Sequence, residues 1–125
     1  MIDLDHFKRI NDENGHAAGD AALKQAVAAC SAQLRSVDVH GRLGGEEFGI
    51  LLPECDLDCA TACAERIRVA VAASSTSRSS GTITVTASLG VSDVRRAGYD
   101  LKSLMQQADE ALYRAKDAGR NRVAA

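Results

Sequence analysis

Apolar residues recur along this chain in two rhythms, and their alternation sets out the elements. Helical spacing runs through Leu23, Val27, Cys30 and Leu34, through Ala60, Cys63, Ala64, Ile67 and Val71, and through Leu101, Leu104, Met105, Ala108, Leu112 and Ala115. These runs predict helices over residues 18–34, from Asp56 or Asp58 to about 73, and from Asp100 to the glycine at 119. A shorter helical turn, Phe7-Lys8-Arg9-Ile10, follows Asp5, which reads as its N-cap, and ends near Asn14-Gly15. Met1-Ile2-Asp3-Leu4 reads as the last part of a short apolar strand, with nothing before it to pair or cover it. Two strands are predicted over residues 37–42 and 47–52, joined by the turn Leu43-Gly44-Gly45-Glu46, where glycine supplies backbone angles that other residues resist. Thr82-Ile83-Thr84-Val85-Thr86 alternates with period two and predicts one further strand. The serine-rich residues 74–80 and residues 93–99 read as loops, Gly90 as a bend, and Asn121-Arg122-Val123 as an edge strand. Strands interleaved with helices in this order predict an α/β domain with a mixed central β-sheet flanked by helices.

The 125 residues amount to one domain with one core. Aromatic residues make up only 3%, so the core is aliphatic, and this counts against a ring-stacking platform for single strands. The net charge of −2 gives no basic face, which argues against nucleic acid as a partner. The longest nearly uncharged stretch, residues 69–83, is too polar to span a bilayer, and the acidic start does not resemble a secretion signal. Cys30, Cys55, Cys59 and Cys63 form no CxxC pair and have no flanking His, so they read as reduced thiols rather than metal ligands.

Candidate chemistry gathers where strands end or turn: Asp3, Asp5, Glu46 and Glu47 are all acidic and fall at such places. Carboxylates on rigid strand ends suit Mg²⁺, which takes one or two of them together with substrate phosphates. The paired glycines beside them would let a phosphate or ribose approach the backbone. The alternative is an acidic tight turn facing water. No GxxxxGK[ST], strand-borne GxGxxG, GxSxG or HExxH pattern is present, which excludes P-loop, Rossmann, serine-hydrolase and zincin chemistry of the usual kinds.

Five stretches, taken in order, resemble the GGDEF family of diguanylate cyclases. They are Asp3-Leu4-Asp5-His6-Phe7-Lys8-Arg9-Ile10-Asn11-Asp12, then Gly15-His16 with Gly19-Asp20, then Arg42-Leu43-Gly44-Gly45-Glu46-Glu47-Phe48, then Ser88-Leu89-Gly90-Val91, and last residues 108–116 with Gly119-Arg120-Asn121-Arg122. The resemblance covers essentially the whole chain and implies a nucleotidyl-cyclase or palm-like fold. It also implies an activity: two GTP molecules, held by two facing domains of a homodimer, are condensed into cyclic di-GMP with release of two pyrophosphates. The implied cofactor is Mg²⁺, with Mn²⁺ as a substitute.

Residue by residue, the resemblance assigns Asp3 and the Leu4 carbonyl to the metal. Glu46 binds metal and assists deprotonation of the 3′-hydroxyl, and Glu47 either joins the metal site or acts as the base. Asn11 and Asp20 are the guanine readers, with His16 near the nucleotide. Gly44 and Gly45 lie against it. Lys8, Lys116 and Arg120 are directed at the phosphates. Arg35 and Asp38, ending five residues before Gly44 is reached, match an RxxD inhibitory product site that Arg66 would complete. Arginine suits that task because it grips phosphate bidentately and stacks on guanine.

A rival reading is a catalytically inactive GGDEF domain that binds GTP or cyclic di-GMP as a signalling module. Retention of Gly44, Gly45, Glu46 and Glu47 favours the enzyme. A polymerase-like palm shares the metal logic but lacks a basic template track. Two departures stand out. Leu43 replaces a frequent aromatic, and the family's N-terminal helix and DxLTGLxNR-type segment do not precede the first strand. The expectation is thus a GGDEF domain lacking its N-terminal segment, cytoplasmic, in a parent protein that could be membrane-tethered and that carries an upstream sensory or receiver domain.

Overall fold

A computed structural model describes residues 1–78 and 81–125. In chain order it contains β1 (Ile2–Leu4), α1 (Phe7–Asn14), α2 (His16–Ser31), β2 (Val39–Gly44), β3 (Glu47–Leu51), α3 (Leu57–Ala73), β4 (Ser75–Arg78), β5 (Gly81–Thr84), β6 (Ala87–Gly90), α4 (Val94–Ala97), α5 (Leu101–Asp117) and β7 (Val123–Ala124). Five strands form one mixed sheet in the order β2-β3-β1-β6-β7, and β4 and β5 form a separate hairpin. Only the β6–β7 pair of the main sheet is parallel. The expected mixed α/β architecture is therefore present.

The middle strand decides where the chemistry sits. Ile2 lies opposite both Phe48 and Leu89, while Asp3 lies opposite Glu47 and Ser88. Successive side chains on a strand point to opposite faces. Ile2 and Leu4 accordingly enter the core with Phe7, Ile10, Leu23, Ile67 and Val71 from α1, α2 and α3. Asp3 is sent to the other face, where α5 packs. The inward set read for α3 is buried in full: Ala60, Cys63, Ala64, Ile67 and Val71. Asp56 caps that helix by accepting the Cys59 N–H at 2.9 Å. On the Asp3 face, at the β2–β3 end, Val39, Leu43 and Leu51 stand exposed.

Several local expectations are corrected. Strand β1 is not left unpaired; it is the centre of the sheet and all three residues are buried. The run 82–86 is not one strand. It divides because Thr84 ends the hairpin strand β5 and Ala87 begins β6 in the main sheet. Residues 75–78 of the expected serine loop pair with β5, and residues 79–80 of that loop lie outside the described residues. Gly90 is no bend but a strand residue, and the loop expected at 93–99 holds the short helix α4, capped by Asp93. Cys55 and Cys59, read as reduced thiols, are joined as a disulfide at the start of α3. Cys55 stands just before the cap Asp56 and Cys59 in the first turn, with Cα atoms 5.6 Å apart, a proximity that CxxC spacing rules overlook. Cys30 and Cys63 are free, and burial pushes the Cys30 thiol up to about 11. Among the described residues, no helix is long and apolar enough to cross a membrane.

Two glycines owe their identity to close packing. A Cβ on Gly90 would stand 2.8 Å from Leu112 Cα and closer still to the Ala108 carbonyl oxygen and the Leu112 nitrogen, all backbone atoms of α5. A Cβ on Gly19 would stand 2.8 Å from Asn11 Cγ and closer to its Oδ1, the end of a flexible side chain. The first glycine seats a helix on the sheet. The second seats the Asn11 side chain against α2.

Candidate functional site

Three segments distant in sequence meet at the open end of β1. The first is β1 itself with Asp3. The second is the β2–β3 turn at Gly45 and Glu46, drawn onto β1 by the Leu4 N–H, which donates to the Glu46 carbonyl at 3.3 Å. Gly45 adopts φ +51, a left-handed conformation that favours glycine, and Arg42 Nε pins the turn by donating to the Gly45 carbonyl at 2.7 Å. The third is the end of α5, where Lys116 Nζ lies 2.9 Å from Asp3 Oδ2.

Asp3 is 7% exposed. Burial raises its carboxyl above the ordinary carboxylate range, the Lys116 hydrogen bond and charge pull it down, and the neighbouring Glu46 and Asp5 charges push it up again. An ionised Asp3 therefore weighs against folding at neutral pH, and a positive charge beside it offsets that cost. Lys116 supplies one such charge. Among the described residues no three His, Cys, Asp or Glu side chains gather into a protein-only cage for a metal ion. A buried carboxylate with a second one close enough to act on it instead fits a hard cation that completes its shell with phosphate oxygens and water, as Mg²⁺ does. Gly44 has open space where a Cβ would stand.

The remaining candidate residues fall into two regions and two outliers. Glu47 opens β3 directly opposite Asp3 in the register, half-buried. Asn11, half-buried on α1, leans on Gly19 beside Asp20, while Asp20 and His16 are exposed on α2. Arg120 follows α5 in a left-handed conformation with φ 62, its N–H donating to the Ala115 carbonyl at 3.1 Å. Lys8 stands exposed on α1.

The second region is built around Arg35. Its guanidinium grips Asp38 with Nη2 to Oδ1 at 2.8 Å and Nε to Oδ1 at 3.1 Å, and it also donates to the Pro53 carbonyl at 2.9 Å. The Arg35 bond holds the Asp38 carboxyl below its usual range, and the same bond raises Arg35. The pair borders an open hollow of about 380 Å³ whose wall includes Ser31, Leu34 and His40. Arg66 is exposed on α3 and is not among the residues lining that hollow. A separate apolar cavity of about 230 Å³ lies on the core side of the sheet, between α2 and the Ile2–Phe48–Ile50 surface; of the candidate residues only Leu4 reaches it.

Two features escaped the sequence reading. Arg42 was seen only as the first letter of a motif, yet it ties the glycine turn. Asp5 was read as a helix cap, but the N-cap position is His6, at φ 55 and without a side-chain cap bond. Asp5 is instead 4% exposed and accepts from Thr86, Ser88 and Asn121. Its partners lie 81, 83 and 116 residues away, where no local pattern reaches.

Known proteins share this arrangement over nearly the entire chain. The sequence model of the family described as "Diguanylate cyclase, GGDEF domain" matches residues 1–122. The probable diguanylate cyclase DgcE of Escherichia coli (strain K12) is 43% identical over 123 residues, 98% of this chain and 11% of that protein. The GGDEF domain of DgcB from Caulobacter crescentus, solved in complex with c-di-GMP, superposes with a TM-score of 0.86 at 33% identity, covering 98% of this chain and 73% of that one. The active GGEEF domain of a diguanylate cyclase from Vibrio cholerae gives 0.85 at 32% identity, covering 98% and 78%. The chain spans between 11% and 34% of the length of the curated relatives it matches. By sequence and by fold alike, from its central strand to the loop after its last helix, the chain belongs to the GGDEF domain family of diguanylate cyclases.

Proposed function

We propose that this domain is one half of a diguanylate cyclase: it binds one GTP, faces a second copy that binds another, and the two nucleotides are joined into cyclic di-GMP with loss of two pyrophosphates. The observation that carries the reading is the buried Asp3 carboxylate at the sheet's centre, which holds a cationic partner and faces the glycine turn with Glu46. Asp3, the Leu4 carbonyl and Glu46 would hold a divalent cation, Mg²⁺ by the character of the donors. When bound, that cation supplies positive charge beside the phosphates undergoing transfer. Glu46 is placed to draw the proton from the attacking 3′-hydroxyl, with Glu47 adding negative charge on the same face. Lys116 trades Asp3 for the triphosphate, and Arg120 and Lys8 neutralise its outer oxygens. Asn11 and Asp20 read guanine; a carboxylate accepts from its N1–H and exocyclic amine together, which adenine does not offer. In the parent protein a sensory or receiver domain would bring the two copies together.

The test is to incubate the chain, alone and fused to a constitutive dimeriser, with GTP and Mg²⁺. Cyclic di-GMP and two equivalents of pyrophosphate are expected from the dimer, and neither in the presence of EDTA. GTP that is bound by the dimer yet never cyclised would move the domain to the binding-module class.

Guanine reading has its own test in Gly19→Ala. The added methyl displaces the Asn11 side chain, while alanine inside a helix gains up to about 1 kcal/mol over glycine. The expected outcome is a melting temperature equal to or above wild type with GTP affinity lowered about tenfold. An unchanged affinity would remove Asn11 from the base site.

We also infer product inhibition through Arg35 and Asp38, which border the open hollow and carry the guanidinium that a phosphodiester would engage. Arg35→Ala is expected to raise the inhibitory concentration of cyclic di-GMP by about 10- to 100-fold, the range of a bidentate charge-assisted pair, with the initial rate of cyclisation retained. Product-inhibition curves on the two proteins check it. Arg66→Ala, at a residue outside the lining of the hollow, is expected to act more weakly.

A further inference from the structure

We propose that Asp5 is a positioning residue for triphosphate recognition: it fastens the loop after α5 so that Arg120 is presented on the phosphate side of the site. The inference rests on the nucleotide reading above. Asp5 Oδ2 accepts from Thr86 Oγ1 at 2.6 Å and from the Asn121 backbone N–H at 3.0 Å, and Oδ1 accepts from Ser88 Oγ at 2.7 Å. Its own N–H donates to the Thr86 carbonyl at 2.8 Å. The carboxylate is therefore sealed among three donors, and the Asn121 amide is the one that belongs to the loop.

That loop needs holding. Gly119, Arg120 and Asn121 have φ values of 111, 62 and 45, three consecutive residues outside the conformations that L side chains prefer. Non-glycine residues persist there only where their surroundings over-determine them. The surroundings here are Asp5 on the Asn121 amide, Arg68 Nη1 donating to Asn121 Oδ1 at 3.1 Å, and Arg122 Nε donating to the Arg120 carbonyl at 3.1 Å. The last two come from the half-buried Arg68 and the exposed Arg122. The backbone adds the Arg120 N–H on the Ala115 carbonyl at 3.1 Å, within the end of α5; of the three side chains, Asp5 alone is buried, and it alone ties the loop to the strand segment that carries Asp3.

The two aspartates of the first strand segment thus divide one task. Asp3 holds Lys116 by a bond that a cation can replace. Asp5 holds the next turn of the same basic segment by bonds that no ligand enters. When Lys116 leaves Asp3 for the phosphates, the loop four residues on remains anchored and Arg120 keeps its place.

The test compares affinity for 3′-deoxy-GTP, which lacks the attacking hydroxyl, with affinity for GMP, which lacks the two outer phosphates. Asp5→Ala is expected to lose about as much 3′-deoxy-GTP affinity as Arg120→Ala, roughly tenfold, with GMP affinity unchanged. The double variant is expected to bind no more weakly than Arg120→Ala alone. Asp5→Asn, whose single oxygen can take the place of Oδ2 and keep the Thr86 and Asn121 donors, is expected to restore the ratio of the two affinities to within about threefold of wild type. Should Asp5→Ala fail to fold, replacing the Arg120–Asn121 peptide bond by an ester through semisynthesis removes the same N–H while leaving Asn121 free to keep its φ of 45, and is expected to give the same split. Equal loss for both ligands, full additivity with Arg120→Ala, or an unchanged ratio in the ester protein overturns the inference. A wild-type chain that binds neither ligand overturns the nucleotide reading and this inference with it.

Discussion

Glu46→Gln is expected to lower cyclic di-GMP formation on the order of 10³-fold, about 4 kcal/mol in the barrier, while GTP affinity changes only a few fold. Glutamine has the shape of glutamate without its charge, so it neither accepts the hydroxyl proton nor balances a divalent cation. The turn itself has no reason to move. It is held by backbone and by Arg42: the Leu4 N–H on the Glu46 carbonyl and Arg42 Nε on the Gly45 carbonyl. The half-exposed Glu46 side chain has no part in either bond. Initial rates from a dimerised protein, set beside direct titration with GTP, separate the two effects. Glu47→Gln, at the strand position opposite Asp3, is expected to cost about tenfold, because it alters the charge on that face and leaves Glu46, the proposed base, in place. A Glu46→Gln protein that cyclises at the wild-type rate takes Glu46 out of the reaction.

Gly90→Ala is expected to destabilise the domain by about 3 kcal/mol or more, at the upper end of the overpacking range. For a chain of this size that lowers the melting temperature on the order of 10 °C. The reason lies in what the new methyl meets. At Gly19 the obstacle is the tip of a side chain, which can swing away. At Gly90 the obstacles are the carbonyl of Ala108 and the backbone of Leu112, inside a 17-residue helix whose buried residues Ala108, Ala111, Leu112 and Ala115 lie against the sheet. Relief requires the whole helix to lift, which also pulls Lys116 away from Asp3. Thermal unfolding measures the first effect, and a parallel loss of GTP affinity in the surviving folded fraction reports the second. A melting temperature within 2 °C or so of wild type would mean that α5 sits less tightly than described.

The difference between the two glycines also marks how far the sequence could be read. Alanine-rich helices with regular apolar spacing declared themselves, and the inward face of α3 was read residue by residue because a helix's burial follows its own period. The Asp56 cap followed from a local rule. What local rules missed was set by partners far along the chain. The run 82–86 has uniform β-branched character, so nothing within it says that Thr84 belongs to a hairpin and Ala87 to the main sheet. Gly90 looked like a bend because a glycine's neighbours in space are not its neighbours in sequence. Asp5 stood where a cap belongs and was taken for one. The site shows the same division. The acidic turn and its glycines were visible from residue types alone, although spacing left an idle tight turn equally open, and the motif resemblance chose between them. The pairing of Asp3 with Lys116 and the role of Arg42 in the turn were visible in neither.

The central position of β1 has a consequence for how the protein comes into being. The strand at residues 2–4 is synthesised before its partners in the sheet, which begin at residues 47 and 87, and the amide bonded to Asp5 comes 116 residues after it. Contacts of such separation must pay for closing long loops before they return anything, and they form late in folding. The nascent chain therefore carries its key carboxylates in solution, unpaired, until almost the entire domain has been synthesised. The Asp3–Lys116 pair and the Asp5–Asn121 bond both need α5 and the loop after it, so a nascent chain that stops short of that helix carries the motif without the site proposed for it.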